Sequence, residues 1–376
     1  MLDFDSLEPA IDPNNRITFL LDWELTMKCN LDCGYCAKGI YGGHDNSISH
    51  PELEACFNTI DFMFEYVDLY MSHKPKGIKQ VLLNVYGGES LHYPNIVQVL
   101  ERCLQVYKEK YQERWFLTIT TTTNAIINKR KMSAIIPLID EFTCSYHAEN
   151  SEKQKNLFKE NLLGIRDSGK RLKVVILMHS ESSLFDDAQK MIEWCQENNI
   201  RYLPRQLDHA LTDKRWNYDK KQIVWLNTLY KKQTYGNFNA IVPVKDQEKF
   251  DLSDTGRACC GGRQLCKDSN FKQRDFFVFN KFPDWYCSVN EFFLYIKQVN
   301  GEIFVNKDCK MNFQGEVAPI GNLNDYRSLI EWTKTHLNEN NMPIIQCKKN
   351  RCFCGLCAPK AKELDTFKNI MRKFRK

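Results

Sequence analysis

Ile17-Thr-Phe-Leu-Leu-Asp-Trp-Glu-Leu-Thr26 runs straight into Met27-Lys-Cys29-Asn-Leu-Asp-Cys33-Gly-Tyr-Cys36. The first stretch is apolar and reads as a buried strand. A period of two puts Asp22, Glu24 and Thr26 on one face, and a barrel interior and a plain strand end are both open readings of that face. The second stretch places three cysteines with three and then two residues between them. Three thiolates on so short a loop cannot all pair as disulfides. They can converge on one metal centre, because soft thiolates select zinc, Cu(I) or iron–sulfur clusters. A cubic [4Fe–4S] cluster usually takes four cysteines. This loop offers three and would leave one iron open to another ligand.

Beyond the loop, apolar strands alternate with amphipathic helices. Strands are expected at Gln80–Tyr86, Trp115–Thr123, Phe142–His147, Leu172–Met178 and Ile200–Arg205. Helices are expected over His50–Met71, Pro94–Tyr111, Lys131–Ile139, Glu152–Asp167 and Phe185–Glu197. In the first of them, apolar residues recur at three- and four-residue intervals. Six strands separated by helices imply parallel pairing with right-handed crossovers, and in such folds chemistry sits at the carboxyl ends of the strands. The cysteine loop, Gly87-Gly88-Glu89, Asn124, Ser145 with His147, His179, and Arg205 with Gln206 all fall there. Glycines let backbone approach a ligand, and the adjoining carboxylate can accept from an ammonium. His147 and His179 suit proton transfer, and Arg205 suits a carboxylate partner. The structural alternatives are a plain turn, backbone-bonded histidines and a surface ion pair.

The chain has 376 residues, 43% hydrophobic and 12% aromatic, enough for two domains or one large barrel with an appendage, which excludes global disorder. A net charge of +5 is short of what marks a nucleic-acid binder, so such a partner is permitted but not favoured. The N-terminus is acidic and lacks an apolar secretory region, and no run is long enough to span a bilayer. A cytoplasmic location without a membrane partner is therefore expected, and the 16 cysteines read as metal ligands or buried thiols before disulfides. Cys56, Cys103, Cys144 and Cys195 stand among apolar neighbours and read as small buried hydrophobes.

The CxxxCxxC spacing, with Tyr35 directly before its last cysteine, strongly resembles the radical S-adenosylmethionine (SAM) superfamily. The resemblance implies an α/β fold, a partial (β/α)6 TIM-like barrel, over residues 1–210. It implies that Cys29, Cys33 and Cys36 hold a catalytic [4Fe–4S] cluster whose free iron chelates SAM. Reduction then cleaves SAM to a 5′-deoxyadenosyl radical that abstracts hydrogen from a substrate. Gly87-Gly88-Glu89 resembles the family's GGE motif, which holds the methionyl amino group. The usual fourth residue is proline, and here it is Ser90. Tyr35, Asn124, Ser145 and Arg205 are the other expected SAM contacts, and an electron donor such as flavodoxin or ferredoxin is the implied partner.

Residues 211–376 begin with a helix expected over Lys221–Lys232 and carry nine cysteines between Cys259 and Cys357. A glycine-containing hairpin (Gly301, then Glu302–Asn306) lies between cysteines, and a compact group follows at Cys347, Cys352, Cys354 and Cys357. The arrangement resembles the SPASM/Twitch type of auxiliary-cluster domain, a small cysteine-rich α+β unit. The glycine-to-cysteine spacing after Cys287 is longer than that pattern, and the last group is arranged differently. Cys266, Cys287, Cys309, Cys347, Cys352, Cys354 and Cys357 are the expected ligands of one or more auxiliary iron–sulfur clusters, with four-cysteine zinc as the alternative. The tail from Lys360 carries seven Lys/Arg residues, with Leu364, Phe367, Ile370, Met371 and Phe374 at helical spacing. This reads as a helix packing one face on the domain.

The SPASM resemblance implies a peptide or protein side chain as substrate, to be oxidised, crosslinked or epimerised. About sixteen residues precede the first strand, so leader-peptide binding, if used, is expected from a separate protein. Two other readings stay open: modification of a nucleotide, RNA base, carbohydrate or other small molecule, and a non-catalytic interaction protein stabilised by zinc.

Overall fold

The computed structural model describes residues 6–7, 17–36, 48–207, 217–232, 284–307, 309–348, 359–372 and 374–375. Residue 210, the expected domain boundary, lies outside them, as do Cys266, Cys352, Cys354 and Cys357.

Six β-α units open the fold: β1 (Ile17–Thr26), α1 (Leu53–Ser72), β2 (Lys79–Gly87), α2 (Ile96–Lys110), β3 (Phe116–Thr123), α3 (Lys129–Ile135), β4 (Glu141–Tyr146), α4 (Glu152–Asp167), β5 (Arg171–Met178), α5 (Ser182–Glu197), β6 (Tyr202–Gln206) and α6 (Lys220–Lys232). Strands β1 to β6 pair in chain order, every pair parallel. The sheet is open, with β6 at one edge. Pro204 sits in that strand, where its missing N–H does least harm. On β1 the period of two is obeyed. Phe19, Leu21, Trp23 and Leu25 are buried in the core they share with Cys56, Ile60, Phe64 and Val67 of α1. Cys103, Cys144 and Cys195 belong to the same core, and all four cysteines are free thiols.

The hairpin between the later cysteines is present as β7 (Phe293–Lys297) and β8 (Glu302–Phe304), with Gly301 in the left-handed region at its turn (φ +70°). It lies in the main sheet. Strand β7 pairs parallel with β1, and β9 (Gly321–Asn322) pairs antiparallel with β8, so nine strands follow the order β9-β8-β7-β1-β2-β3-β4-β5-β6. Leu294, Ile296 and Ile303 enter the main core, joined by Leu329 and Ile330 of α7 (Tyr326–Asn338). The expectation of six parallel strands therefore becomes seven, because a late segment covers the free edge of β1.

A second sheet is antiparallel, in the order Ser6–Leu7, Lys360–Ala361, Tyr286–Cys287, Ile345–Gln346. Against it packs a smaller core of Cys287, Phe292, Cys309 and the buried face of α8 (Leu364–Met371), namely Phe367, Ile370 and Met371. The tail helix thus packs one face as its spacing predicts, with Lys368 and Arg372 exposed. A buried ion pair fastens this end: Lys74 Nζ lies 3.0 Å from Glu291 Oε2, and Arg375 Nη2 lies 2.5 Å from Glu291 Oε1. Among the described residues no helix is long and apolar enough to cross a membrane.

Candidate active site

The polar face of β1 carries hydrogen bonds to neighbouring strands of the sheet. Asp22 Oδ1 accepts from Asn84 Nδ2 at 3.0 Å, Thr120 Oγ1 bonds Asn84 Oδ1 at 3.3 Å, and Glu24 Oε2 accepts from the Tyr295 hydroxyl at 3.0 Å. Burial pushes the Glu24 carboxyl up, against the opposing pull of Lys307. These rows lead up to the cysteine loop at the carboxyl end of β1.

Backbone contacts hold that loop from below. Gly88 N–H donates to Thr26 O and Glu89 N–H to Lys28 O, both at 2.8 Å. A β-carbon on Gly87 (φ +153°) would stand 2.0 Å from Thr26 O, and one on Gly88 would stand 2.4 Å from Met27 O. The close approach these glycines permit is therefore made to the root of the cysteine loop itself.

Glu89 is 1% exposed. Its Oε1 accepts from Leu91 N at 3.0 Å and from Thr123 Oγ1 at 2.7 Å, and its Oε2 accepts from Asn124 N at 2.5 Å. A carboxylate offers about four acceptor positions, so three are taken and one remains for a ligand. Desolvation pushes its pKa up to about 6, although the hydrogen bonds pull the other way. Asn124, thus held by its backbone, sends Nδ2 to Asn30 Oδ1 at 2.8 Å and toward Cys29 Sγ at 3.9 Å, while Asn30 Nδ2 donates to Ile126 O. The next residue, Ala125, takes a left-handed conformation (φ 52°), which costs a non-glycine residue about 1–2 kcal/mol. Buried Asn161 of α4 compensates, donating to Ala125 O and Ile127 O at 2.8 Å each.

The fourth and fifth strands close the other side. His147 Nδ1 lies 3.4 Å from Cys33 Sγ and bonds the Tyr35 hydroxyl, and the two rings stack with centroids 5.8 Å apart. Burial pushes the His147 pKa down to about 4, which favours the neutral ring. Glu149 Oε2 accepts from Gly34 N–H at 2.8 Å, and His179 Nε2 stands 3.6 Å from Glu149 Oε1.

Cys29, Cys33, Cys36, Tyr35, Gly87, Gly88, Glu89 and Asn124 therefore gather at one mouth. Ser145, half-buried, and Arg205 stand on β4 and β6 of the same sheet. Of the expected auxiliary ligands, Cys287, Cys309 and Cys347 are buried, and Lys360 Nζ lies 3.8 Å from Cys287 Sγ. Glu149, Asn30 and Asn161 escaped sequence reading. Only Asn161 carried a signal, as an amide at helical spacing among the apolar Phe158, Leu162 and Ile165.

The three loop thiols are close enough to raise one another. Burial is the main cause, lifting Cys29 to about 11 and Cys33 to about 12, with Cys36 also raised. Without a metal these groups are neutral thiols, and a bound cation would make them thiolates. Among the described residues no three His, Cys, Asp or Glu side chains gather tightly enough to hold one metal ion. Three cysteines on one loop fit the donor set of a cluster that keeps one iron open.

No protein-family model matches the chain, and no curated protein matches it. Solved structures do. SuiB of Streptococcus suis, bound to S-adenosylmethionine, is 16% identical with a TM-score of 0.46, over 79% of this chain and 62% of SuiB. The match thus spans less than two thirds of SuiB's length. Native anSMEcpe, with bound AdoMet and the Kp18Cys peptide, is 11% identical with a TM-score of 0.49, over 87% and 83% of the two chains. HydG, a maturase of the [FeFe]-hydrogenase, is 14% identical with a TM-score of 0.37, over 57% and 50%.

Proposed function

We propose that this chain is a radical SAM enzyme. The observation that carries the reading is convergence: the loop Cys29–Cys36, the turn Gly87–Glu89 and Asn124 come from three strand ends and meet at one mouth, tied by direct hydrogen bonds. A zinc-stabilised interaction protein has no need of that setting. When bound, a [4Fe–4S] cluster with SAM at its open iron supplies reductive cleavage of SAM and hydrogen abstraction. Cys29, Cys33 and Cys36 would hold the cluster. The remaining acceptor position on Glu89 would take the methionyl ammonium. Asn30 and Asn124 would fix the rim beside Cys29, and Tyr35 with His147 the rim beside Cys33. Ser145 and Arg205 would contact SAM from farther round the barrel. The polar rows of Asp22, Glu24, Asn84 and Thr120 would suit a hydrogen-bonding substrate rather than an apolar one. Residues 211–376 would form an auxiliary-cluster region using Cys266, Cys287, Cys309, Cys347, Cys352, Cys354 and Cys357, and on that pattern the substrate is a peptide or protein side chain. An electron donor of the flavodoxin or ferredoxin type would supply the reducing equivalent.

The test is anaerobic reconstitution followed by dithionite and SAM. Formation of 5′-deoxyadenosine by the wild type, and its loss when Cys29, Cys33 and Cys36 are all changed to alanine, is the expected result. A chain that holds a full cluster on this loop yet makes no 5′-deoxyadenosine contradicts the catalytic reading. Zinc without iron and sulfide contradicts the cluster.

A further inference from the structure

Each loop thiol has one carboxylate within electrostatic reach. Glu89 acts on Cys29, Glu149 on Cys33 and Asp32 on Cys36, in each case raising the cost of a thiolate. The three acids are not equivalent. Asp32 belongs to the loop, and the Glu89 oxygens serve Leu91, Thr123 and Asn124. Glu149 arrives from another strand end and bonds the loop backbone between two of the cysteines, taking the Gly34 N–H at 2.8 Å. A β-carbon on Gly34 would stand 3.0 Å from Glu149 Oε1, a tight contact that shows how closely the carboxylate lies on the loop backbone.

His179, 5% exposed at the end of β5, accepts from Glu181 N–H through Nδ1 at 3.0 Å. Its Nε2 stands 3.6 Å from Glu149 Oε1. Three strand ends therefore meet here: His179 of the fifth unit stands beside Glu149 of the fourth, and Glu149 accepts from Gly34 of the first.

We propose that Glu149 is a positioning residue that lowers the reduction potential of the cluster held by Cys29, Cys33 and Cys36. This rests on the radical SAM reading above. The potential of an iron–sulfur centre follows its net surrounding charge and the hydrogen bonds its sulfurs receive. Glu149 changes both in the same direction. It adds a negative charge within electrostatic reach of Cys33 and Tyr35. It also commits the Gly34 N–H to a carboxylate, so that donor is not offered to a cluster sulfur. Both changes disfavour the extra electron on the reduced cluster and make the reduced state the stronger reductant.

The experiment compares reconstituted wild type with Glu149→Gln and Glu149→Ala by three readouts: iron and sulfide per chain, the midpoint potential from EPR-monitored titration, and hydrogen exchange of the peptide containing Gly34. Glutamine keeps an acceptor for Gly34 and loses the charge. It is expected to hold full iron, keep the Gly34 amide protected, and shift the midpoint to more positive values. The shift should change the reduced-to-oxidised ratio at fixed potential by up to about tenfold, ~59 mV for a one-electron couple. Alanine should shift it at least as far and expose the amide as well. Glu149→Asp should recover part of the wild-type potential. A Glu149→Gln protein with full iron and an unmoved midpoint overturns the proposal, because a purely structural role would leave the potential alone. A wild-type chain that takes up no iron and sulfide overturns the underlying reading together with it, and the metal count separates that case before any potential is measured.

Discussion

Gly87 and Thr26 are packed so closely that a β-carbon on the glycine would lie 2.0 Å from the Thr26 carbonyl oxygen. The second strand thereby becomes the support on which the cysteine loop rests. Gly87→Ala must push Thr26 away and lift the loop. The expected outcome is a loss of several degrees in Tm and of most reconstituted iron, read by calorimetry and by iron per chain. Gly169→Ala, with nothing within 4 Å of its added carbon, is the matched control for loss of a positive-φ glycine alone.

Asn161 sets the conformation of the Asn124–Ile127 turn through two buried hydrogen bonds. Asn161→Ala leaves two carbonyl groups without their donor, and each such loss costs about 1–3 kcal/mol. A destabilisation of about 2–4 kcal/mol in urea unfolding is expected, with the m-value unchanged. A change below 0.5 kcal/mol would mean that Ala125 holds its left-handed conformation unaided.

Glu89 makes a pH-dependent contribution whose sign follows from its raised pKa. The unfolded carboxyl releases its proton near the ordinary 4.5, and the folded one holds it to about 6. Stability from this group is therefore complete below pH 4.5 and lost as the pH rises through 6. The loss amounts to about 2 kcal/mol by pH 7. Glu89→Gln has no such titration. The stability difference between wild type and variant should accordingly shift by about 2 kcal/mol in the variant's favour between pH 4.5 and pH 7, measured by urea unfolding at the two pH values.

Lys74 and Glu291 are both buried, and Arg375 closes on the same carboxylate. Burial alone would raise the Glu291 pKa, but Lys74 and Arg375 outweigh it and hold the carboxyl below its ordinary value. Glu291→Ala strands the Lys74 ammonium and should cost about 3–5 kcal/mol. The double change Lys74→Met with Glu291→Leu should recover most of that loss. If the single and double variants are equally unstable, the pair contributes through packing rather than charge.

The alternation of strands and helices was legible because most strands are apolar or β-branched runs and the helices carry their own periodicity. The cysteine loop, Gly87–Glu89 and Asn124 were legible because they stand where such strands end. Other features left no local mark. Phe293–Lys297 looks like any short apolar strand, and nothing in it records that its partner is β1, more than 260 residues away in the chain. Glu149 looks like a solvated acid before a helix, and its bond to Gly34 is purely tertiary. The two glycines were read as letting backbone approach a ligand, and the close approach the structure shows is to the protein's own backbone.

The parallel pairing of β7 with β1 also has a consequence for synthesis. Strand β1, which carries the cysteine loop, is an interior strand only once Phe293–Lys297 has paired with it. An uncovered edge of this kind invites pairing with other chains. At about 5–20 residues per second a ribosome needs roughly 13–53 s to pass from the end of β1 to the start of β7. Through that interval β1 keeps an open side beside the cysteine loop, and the late hairpin is the part of the chain that ends the exposure.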